Sequence, residues 1–593
     1  LDLHATPTGN NQPLRPADFS SLAAALDYAA LGRTGSNFYT GRGELYAVLP
    51  YAELRDQALE LARRLRGVDP ARGARVAIIA DTGPDFLRFF FACQYAGLVP
   101  VPLPIPLNPG GHKAYVKQIR TMVQSCQASL AMAPASYSGL LEEAVEGLGL
   151  TFVGTPEAFG MLPQHQGELQ PMQAHELAYL QYTSGSTRFP RGVMITQQAV
   201  MSNLSGIITE GMDVRATDRC VSWLPFYHDM GLVGMVLAPL ASQVTVDYLG
   251  TREFAMRPRQ WLTLMSRNQA TISFSPPFGY ELCNRRVREG EAETFDLGSW
   301  RVAGVGAETI RPQILYDFAE TLLASGFDRK AFLACYGMAE CSLAVSFAPL
   351  QEELSVDHVD ADHLALHGQA RPIEGAKARW VNGFVNCGVP LSAFEVELRN
   401  DSGEVVAERH IGVIHVRAPC VMSSYFNEPE ITAETLSPDG WLDTGDIGYR
   451  VGDGIVITGR KKDLIIINGR NIWPQDLEQL AEQQPEVRLG DALAFAVPGM
   501  EGADSVVMVA QCREKDSDKR AKLIECLQGR ILAEVGVDCH IELAPLHTLP
   551  RTSSGKLSRF KARQNYIDAH RPDPAGNQGE REAAAVLLQK QAG

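Results

Sequence analysis

The chain has 593 residues and a mass of 64.7 kDa, which at about 150 residues per domain leaves room for about four units. Its 45% hydrophobic and 21% charged residues exclude a wholly disordered, collagen-like or coiled-coil chain. With 54 Lys and Arg against 69 Asp and Glu, a formal charge of −15, it lacks the basic footprint of general nucleic-acid or anionic-membrane binding.

The longest apolar run, Gly231 to Val246, is broken by Pro239, Ser242 and Gln243 and falls short of the roughly 20 residues of a bilayer helix. No membrane span is expected. Leu1-Asp2-Leu3-His4 has neither the basic start nor the apolar core of a secretory signal, and the absent initiator Met suggests an excised segment. Eleven cysteines without a Cys-x-x-Cys pair read as reduced thiols of a cytoplasmic protein.

In chain order, the β-branched run Val76–Ala80 and the apolar stretch Asp85–Ala96 predict a buried strand feeding a buried helix. His112–Cys126 and Ser129–Met132 repeat the pattern, so an α/β architecture with largely parallel sheets is expected. Strands are predicted at Leu177–Tyr182 and Val193–Thr196, flanking a hydroxyl-rich loop. From Ala393 to Val416 the alternation of Glu395–Leu398, the turn Asn400–Gly403 and the run Ile411–Val416 predict antiparallel hairpins, hence a β-rich subdomain. Beyond the charged junction Gly459–Asp463, strands at Ala492–Val497 and Val506–Cys512, a helix at Lys519–Val535 and a strand at His540–Leu543 make a compact α+β unit. The tail after Arg571 reads as linker ending in a marginal helix. The expected division is a body of residues 1–459 and a small mobile unit of residues 460–593.

Four stretches carry candidate chemistry. Tyr182-Thr183-Ser184-Gly185-Ser186-Thr187-Arg188-Phe189-Pro190-Arg191-Gly192 offers hydroxyls, backbone amides and two guanidinium groups to a polyphosphate; taken alone, it is equally a Ser/Thr-rich surface turn. No Walker Gly-Lys-Ser/Thr ending occurs. Asp446, in Thr444-Gly445-Asp446, is either a clamp for a ribose diol or an Asx-type turn. Lys556 stands in the Ser/Gly-rich loop Leu549–Lys556, suited to meeting developing negative charge or simply solvated. His228, in Trp223-Leu224-Pro225-Phe226-Tyr227-His228-Asp229-Met230-Gly231-Leu232, is a binding-site histidine or a hydrogen-bonded core residue.

The order of these stretches, joined by Gly306-Ala307-Glu308, Cys335-Tyr336-Gly337-Met338-Ala339-Glu340 and Gly459-Arg460-Lys461-Lys462-Asp463, resembles the adenylate-forming (ANL) superfamily from about Tyr51 to Arg559. The resemblance implies an ANL fold in which a carboxylate attacks the α-phosphate of ATP. It implies that Thr183, Ser184, Gly185, Ser186 and Thr187 hold the β,γ-phosphates, with Thr183 and Glu340 around Mg²⁺. Tyr336 would stack on adenine; Gly306, Ala307 and Glu308, with Cys335, Gly337 and Met338, would line the nucleotide pocket; Asp446 and Arg460 would hold the ribose. The catalytic pair would be Lys556, at the reacting phosphate, and His228, beside the acyl carboxylate. Lys462 would be the hinge between two half-reactions.

Three features resemble the fatty acyl-AMP ligases in particular: the Trp223–Leu232 string, Ser186-Thr187-Arg188 in place of Ser-Thr-Gly, and a long connection between Glu340 and Cys387 that implies an insertion within about 345–385. Those enzymes pass the acyl group to a phosphopantetheine, which implies a fatty acid substrate and an acyl carrier protein, or a polyketide or peptide synthase carrier domain, as partner. An acyl-CoA ligase is the alternative. No Gly-Gly-x-Ser carrier motif occurs in the chain, so the carrier is expected elsewhere. The basic runs Arg285–Arg288 and Arg460–Lys462 are candidate docking faces for an acidic carrier. The superfamily's loop Lys is Arg191 here, which keeps charge but not geometry. Phe274, Phe278, Tyr280 and Cys283 are candidates for an acyl tunnel or for ordinary core.

Overall fold

The computed structural model describes residues 3–106, 111–183, 190–288, 290–373, 381–467, 470–498, 504–552 and 556–570. The tail beyond Arg571 and the loop residues Ser184, Gly185, Ser186 and Thr187 lie outside the described residues. The chain is an α/β protein that divides into two compact units. The first takes in residues up to 358 and again 383–458; the second takes in residues 359–382 and those from 459 onward.

The first unit is built on a nine-stranded sheet. Its middle is parallel, running Phe332–Gly337, Val302–Val305, Ile272–Ser275, Arg219–Ser222, Thr245–Leu249 and Gly35–Tyr39. Antiparallel strands close both edges, Leu45–Pro50 on one side and Ala344–Phe347 with Val389–Pro390 on the other. A second, all-parallel sheet has the order Val99–Leu103, Arg75–Ile79, Ala128–Met132, Phe152–Gly154. Strands covered on both faces are buried at every position rather than at alternate ones, as Val99–Leu103 and Thr245–Leu249 are. The predicted helices appear at Pro84–Ala96 and His112–Ser125. The β-rich part is a four-stranded sheet in the order Glu395–Arg399, Gly412–Arg417, Leu442–Val451, Gly454–Arg460.

The apolar run from Gly231 is core. Met230–Leu237 forms a π-helical segment with every residue buried, followed by a turn of α-helix at Ala238–Ala241. Among the described residues no helix is long and apolar enough to cross a membrane.

In the second unit Val487–Pro498, Asp504–Cys512 and Cys539–Ala544 form one sheet, the first pair antiparallel and the second parallel. Alternation splits its side chains. Ala492 and Ala494 face a core with Leu523, Leu527 and Ile531 of helix Ser517–Glu534, whereas Leu493 and Phe495 face Leu549 and Ala562 on the opposite side. The described residues of 359–382 are pinned into this unit. Asp360 caps helix Ala361–His367 by accepting from the His363 amide, Arg470 pairs with Asp362, and the Asn382 amide donates to both oxygens of Asp476, at 3.3 and 3.2 Å. All eleven cysteines are free thiols; nine are buried, and Cys526 on helix Ser517–Glu534 is exposed.

Burial pushes the Asp476 carboxyl up from 3.8 to about 7, with the Asn382 amide opposing and the Glu478 charge reinforcing. The folded chain therefore holds this proton more tightly than the unfolded chain. Its contribution to stability is fully present below about pH 4 and is lost as pH rises through about 7. Asp476→Asn is expected to remove that loss: thermal unfolding followed by circular dichroism from about pH 5 to about pH 8 should show a flatter dependence and a higher midpoint at the alkaline end. An unchanged pH profile would contradict this assignment.

Candidate active site

Open α/β sheets gather their sites at the carboxyl ends of parallel strands, and three such ends carry sequence-predicted residues here. Strand Arg219–Ser222 leads into Trp223–His228, Val302–Val305 into Gly306–Glu308, and Phe332–Gly337 into Met338–Glu340.

At the third end, Tyr336 Oη donates to Asp446 Oδ2 at 2.7 Å, with both side chains buried. Burial, and next the Asp446 charge, push the Tyr336 phenol well above its ordinary range, so it remains a donor. The bond joins the nine-stranded sheet to strand Leu442–Val451 of the β-rich sheet. The Asx-type bond is made by Asp443, whose Oδ1 accepts from the Gly445 amide at 2.8 Å where Gly445 takes φ +67°. Asp446 faces Tyr336, its own amide tied to Thr444 Oγ1 at 3.1 Å.

Close packing explains the glycines around this point. A Cβ on Gly337 would lie 1.9 Å from the Leu343 carbonyl oxygen, and one on Gly306 2.8 Å from the Cys335 oxygen and sulfur. Ala307 takes a left-handed φ of +69°, uncommon for a residue with a Cβ, and is exposed beside the half-buried Glu308. Met338 closes the turn, its amide donating to the Leu343 carbonyl at 2.8 Å.

The described flanks of the hydroxyl-rich loop form a clasp. Strands Leu177–Tyr182 and Gly192–Thr196 pair antiparallel; the Thr183 amide donates to the Arg191 carbonyl at 3.0 Å and the Arg191 amide to Thr183 Oγ1 at 3.3 Å. Gln181 donates from Nε2 to the Tyr227 carbonyl at 2.7 Å, fastening the loop's root to the Trp223–Leu232 string. In that string, His228 Nδ1 lies 2.7 Å from Asp229 Oδ1. A carboxylate there keeps the proton on Nδ1 and fixes the ring. Gly231 is required, since a Cβ would sit 2.1 Å from the Pro225 oxygen.

Glu340, nearly buried, accepts from Tyr425 Oη at 2.7 Å through Oε1. Tyr425 is absent from the sequence reading: it lies 85 positions from Glu340, in a short strand with no motif of its own. The candidate tunnel residues Tyr280 and Cys283 are fully buried core. Tyr280 donates to the Gly304 carbonyl at 2.9 Å and packs its ring against Trp261, Phe318 and Phe332. Phe274 is buried in the same sheet, filling the space that Gly304 leaves open; Phe278 meets Trp223 edge-on. Of the basic run, Arg285 pairs with Glu281 at 2.6 Å.

Arg460, Lys462 and Lys556 belong to the second unit. Arg460 and Lys462 are exposed. The Lys556 carbonyl accepts from the Thr552 amide at 2.7 Å, and Ser558 caps helix Arg559–Ala569. That helix is anchored by Arg559, paired with Glu478 at 2.7 Å and Asp463 at 3.5 Å.

Known proteins resemble the chain in sequence and fold. A family model described as AMP-binding enzyme matches residues 35–426. A putative acyl-CoA synthetase of Caulobacter vibrioides is 47% identical over 95% of this chain and 98% of its own. A medium-chain-fatty-acid–[acyl-carrier-protein] ligase of Moorena producens is 30% identical over 93% and 96%. A solved structure from studies of fatty acyl-adenylate ligases of E. coli and L. pneumophila superimposes with a TM-score of 0.90, at 47% identity, covering 94% of this chain and 100% of that one. The chain therefore belongs to the AMP-binding enzyme family, as an ATP-dependent ligase of the adenylate-forming kind.

Proposed function

We propose that the chain joins a fatty acid to ATP as a fatty acyl-adenylate, releasing pyrophosphate, and then passes the acyl group to the phosphopantetheine thiol of an acyl carrier protein. In the first step a carboxylate oxygen bonds to the α-phosphorus and the bond to the β-phosphate oxygen breaks. In the second the thiol displaces AMP. The observation that carries this reading is the Tyr336–Asp446 bond: a flat ring for a base and a buried carboxylate for a diol are held together at a strand end. Gly306, Ala307, Glu308, Cys335, Gly337 and Met338 would complete the nucleotide wall, and Arg460 would join Asp446 at the ribose.

Thr183, with Ser184, Gly185, Ser186 and Thr187, would hold the terminal phosphates. The donor set also suits Mg²⁺. Glu340 offers a carboxylate and Thr183 a hydroxyl, and among the described residues no group of three or more His, Cys, Asp or Glu forms a protein-only metal cage; Mg²⁺ is commonly held by one or two carboxylates with substrate phosphates. When bound, it would neutralise phosphate charge. His228, its ring fixed by Asp229, would sit beside the acyl carboxylate. Lys556 would place its ammonium against the charge that develops at the α-phosphate, and Lys462 would be the hinge that exchanges the two half-reactions.

A second reading is an acyl-CoA ligase, favoured by the name of the Caulobacter relative. One assay separates the two: ATP and a fatty acid are supplied with either CoA or a phosphopantetheinylated carrier protein. Thioester is expected on the carrier; rapid thioester formation with CoA would overturn the carrier reading. Lys556→Ala is expected to lower adenylate formation by about 10²–10³ while ATP binding, followed by calorimetry, persists. Undiminished pyrophosphate release would remove Lys556 from the reaction.

A further inference from the structure

Arg191 stands where the superfamily has a lysine, and its surroundings give the substitution a physical reason. Its guanidinium carbon lies 5.4 Å from the centre of the Tyr425 ring, and its Nε lies 4.0 Å from Glu428 Oε2. Arginine stacks its planar cation on an aromatic face in a way that an ammonium group does not reproduce. The ring so covered carries the hydroxyl that donates to Glu340 Oε1 at 2.7 Å.

The backbone repeats the linkage. Strand Ser424–Tyr425 pairs with the return strand of the hydroxyl-rich loop, Ser424 opposite Met194 and Tyr425 opposite Val193. The Phe426 amide donates to the Gly192 carbonyl at 2.8 Å, and the Met422 amide to the Glu340 carbonyl at 2.7 Å. Residues 422–426 therefore hold Glu340 by main chain and side chain while zipped to strand Gly192–Thr196. A neutral donor orients a carboxylate without cancelling its charge, as a neighbouring cation would.

We infer that Tyr425 is a positioning residue that sets the Glu340 carboxylate for a divalent cation, and that Arg191, whose guanidinium lies over its ring, fixes Tyr425. This rests on the reading that Glu340 faces the metal. Groups that orient a metal ligand commonly account for about 10–100-fold in metal affinity.

The test measures Mn²⁺ binding to the full chain with ATP and no fatty acid, by the electron paramagnetic resonance of free Mn²⁺, alongside the Mg²⁺ dependence of ATP–pyrophosphate exchange. Tyr425→Phe, which keeps the ring, is expected to weaken Mn²⁺ binding about tenfold or more and to raise the half-activating Mg²⁺ in step. The KM for fatty acid and the melting temperature should hold, which a general structural defect would not allow. Arg191→Lys should weaken Mn²⁺ binding in the wild-type background and add nothing to Tyr425→Phe. Mn²⁺ affinity unchanged in Tyr425→Phe, or two additive effects, would overturn the inference. Should Tyr425→Phe melt early, Arg191→Lys alone decides: unchanged Mn²⁺ affinity overturns the inference and weakened affinity supports it. Glu340→Gln separates the two levels. If it leaves Mn²⁺ affinity intact, the metal reading itself fails; if it weakens binding and Tyr425→Phe does not, only the positioning role falls.

Discussion

In the middle of the first unit, Arg219 and Asp247 form a two-pronged ion pair, at 2.7 and 2.8 Å, with side chains 6% and 0% exposed. Two charges removed from water need every remaining hydrogen-bond position filled, and this pair has them. Asn37 donates to one Asp247 oxygen at 2.7 Å and Asn268 to the other at 2.9 Å, while the Thr6 carbonyl accepts from Arg219 at 3.0 Å. Strands Arg219–Ser222, Thr245–Leu249 and Gly35–Tyr39 and the end of a helix are thereby locked to one another. Any slip in register would strand a charge in the core, at a cost of about 3–5 kcal/mol. Hydrophobic burial alone separates registers only weakly in strands covered on both faces, because both faces bury side chains. The ion pair supplies the register that the apolar pattern cannot.

A fixed register matters because the chemistry begins where these strands stop. Three residues past Ser222 the chain enters Pro225–His228, and the Gln181–Tyr227 bond ties that turn to the loop root. On the same sheet, strand Phe332–Gly337 delivers Tyr336 to Asp446 and passes on to Glu340. The first unit thus presents its polar groups from strand ends and tight, glycine-lined turns. Side chains held on such elements keep their geometry when a ligand arrives, and preorganised geometry is what electrostatic catalysis draws on.

The α/β class and most elements were legible because they rest on local pattern: continuous apolar runs for Arg75–Ile79 and Val506–Cys512, an amphipathic repeat for Ser517–Glu534. Strand Val487–Pro498 extends further than its apolar core suggested, since a register shift between Val487 and Ala492 lets polar residues join it. The motifs pointed to Tyr336, Glu340, Asp446 and His228, because each stands in a distinctive local string. What holds them was not legible. Tyr425 reaches Glu340 across 85 positions, and Asn382 reaches Asp476 across 94, and neither pair has a local signature. The assignment of Tyr280 and Cys283 to core also needed the fold, since an apolar residue beside a cavity and one inside a core carry the same pattern.

The burial of the thiols has a practical consequence. Burial pushes thiols such as Cys93, Cys220 and Cys387 upward, which suppresses the thiolate that alkylating reagents attack. Cys526 stands exposed on a helix of the second unit. A maleimide dye or spin label applied at neutral pH will therefore concentrate there, giving that unit its own optical or magnetic beacon without a single cysteine having to be removed.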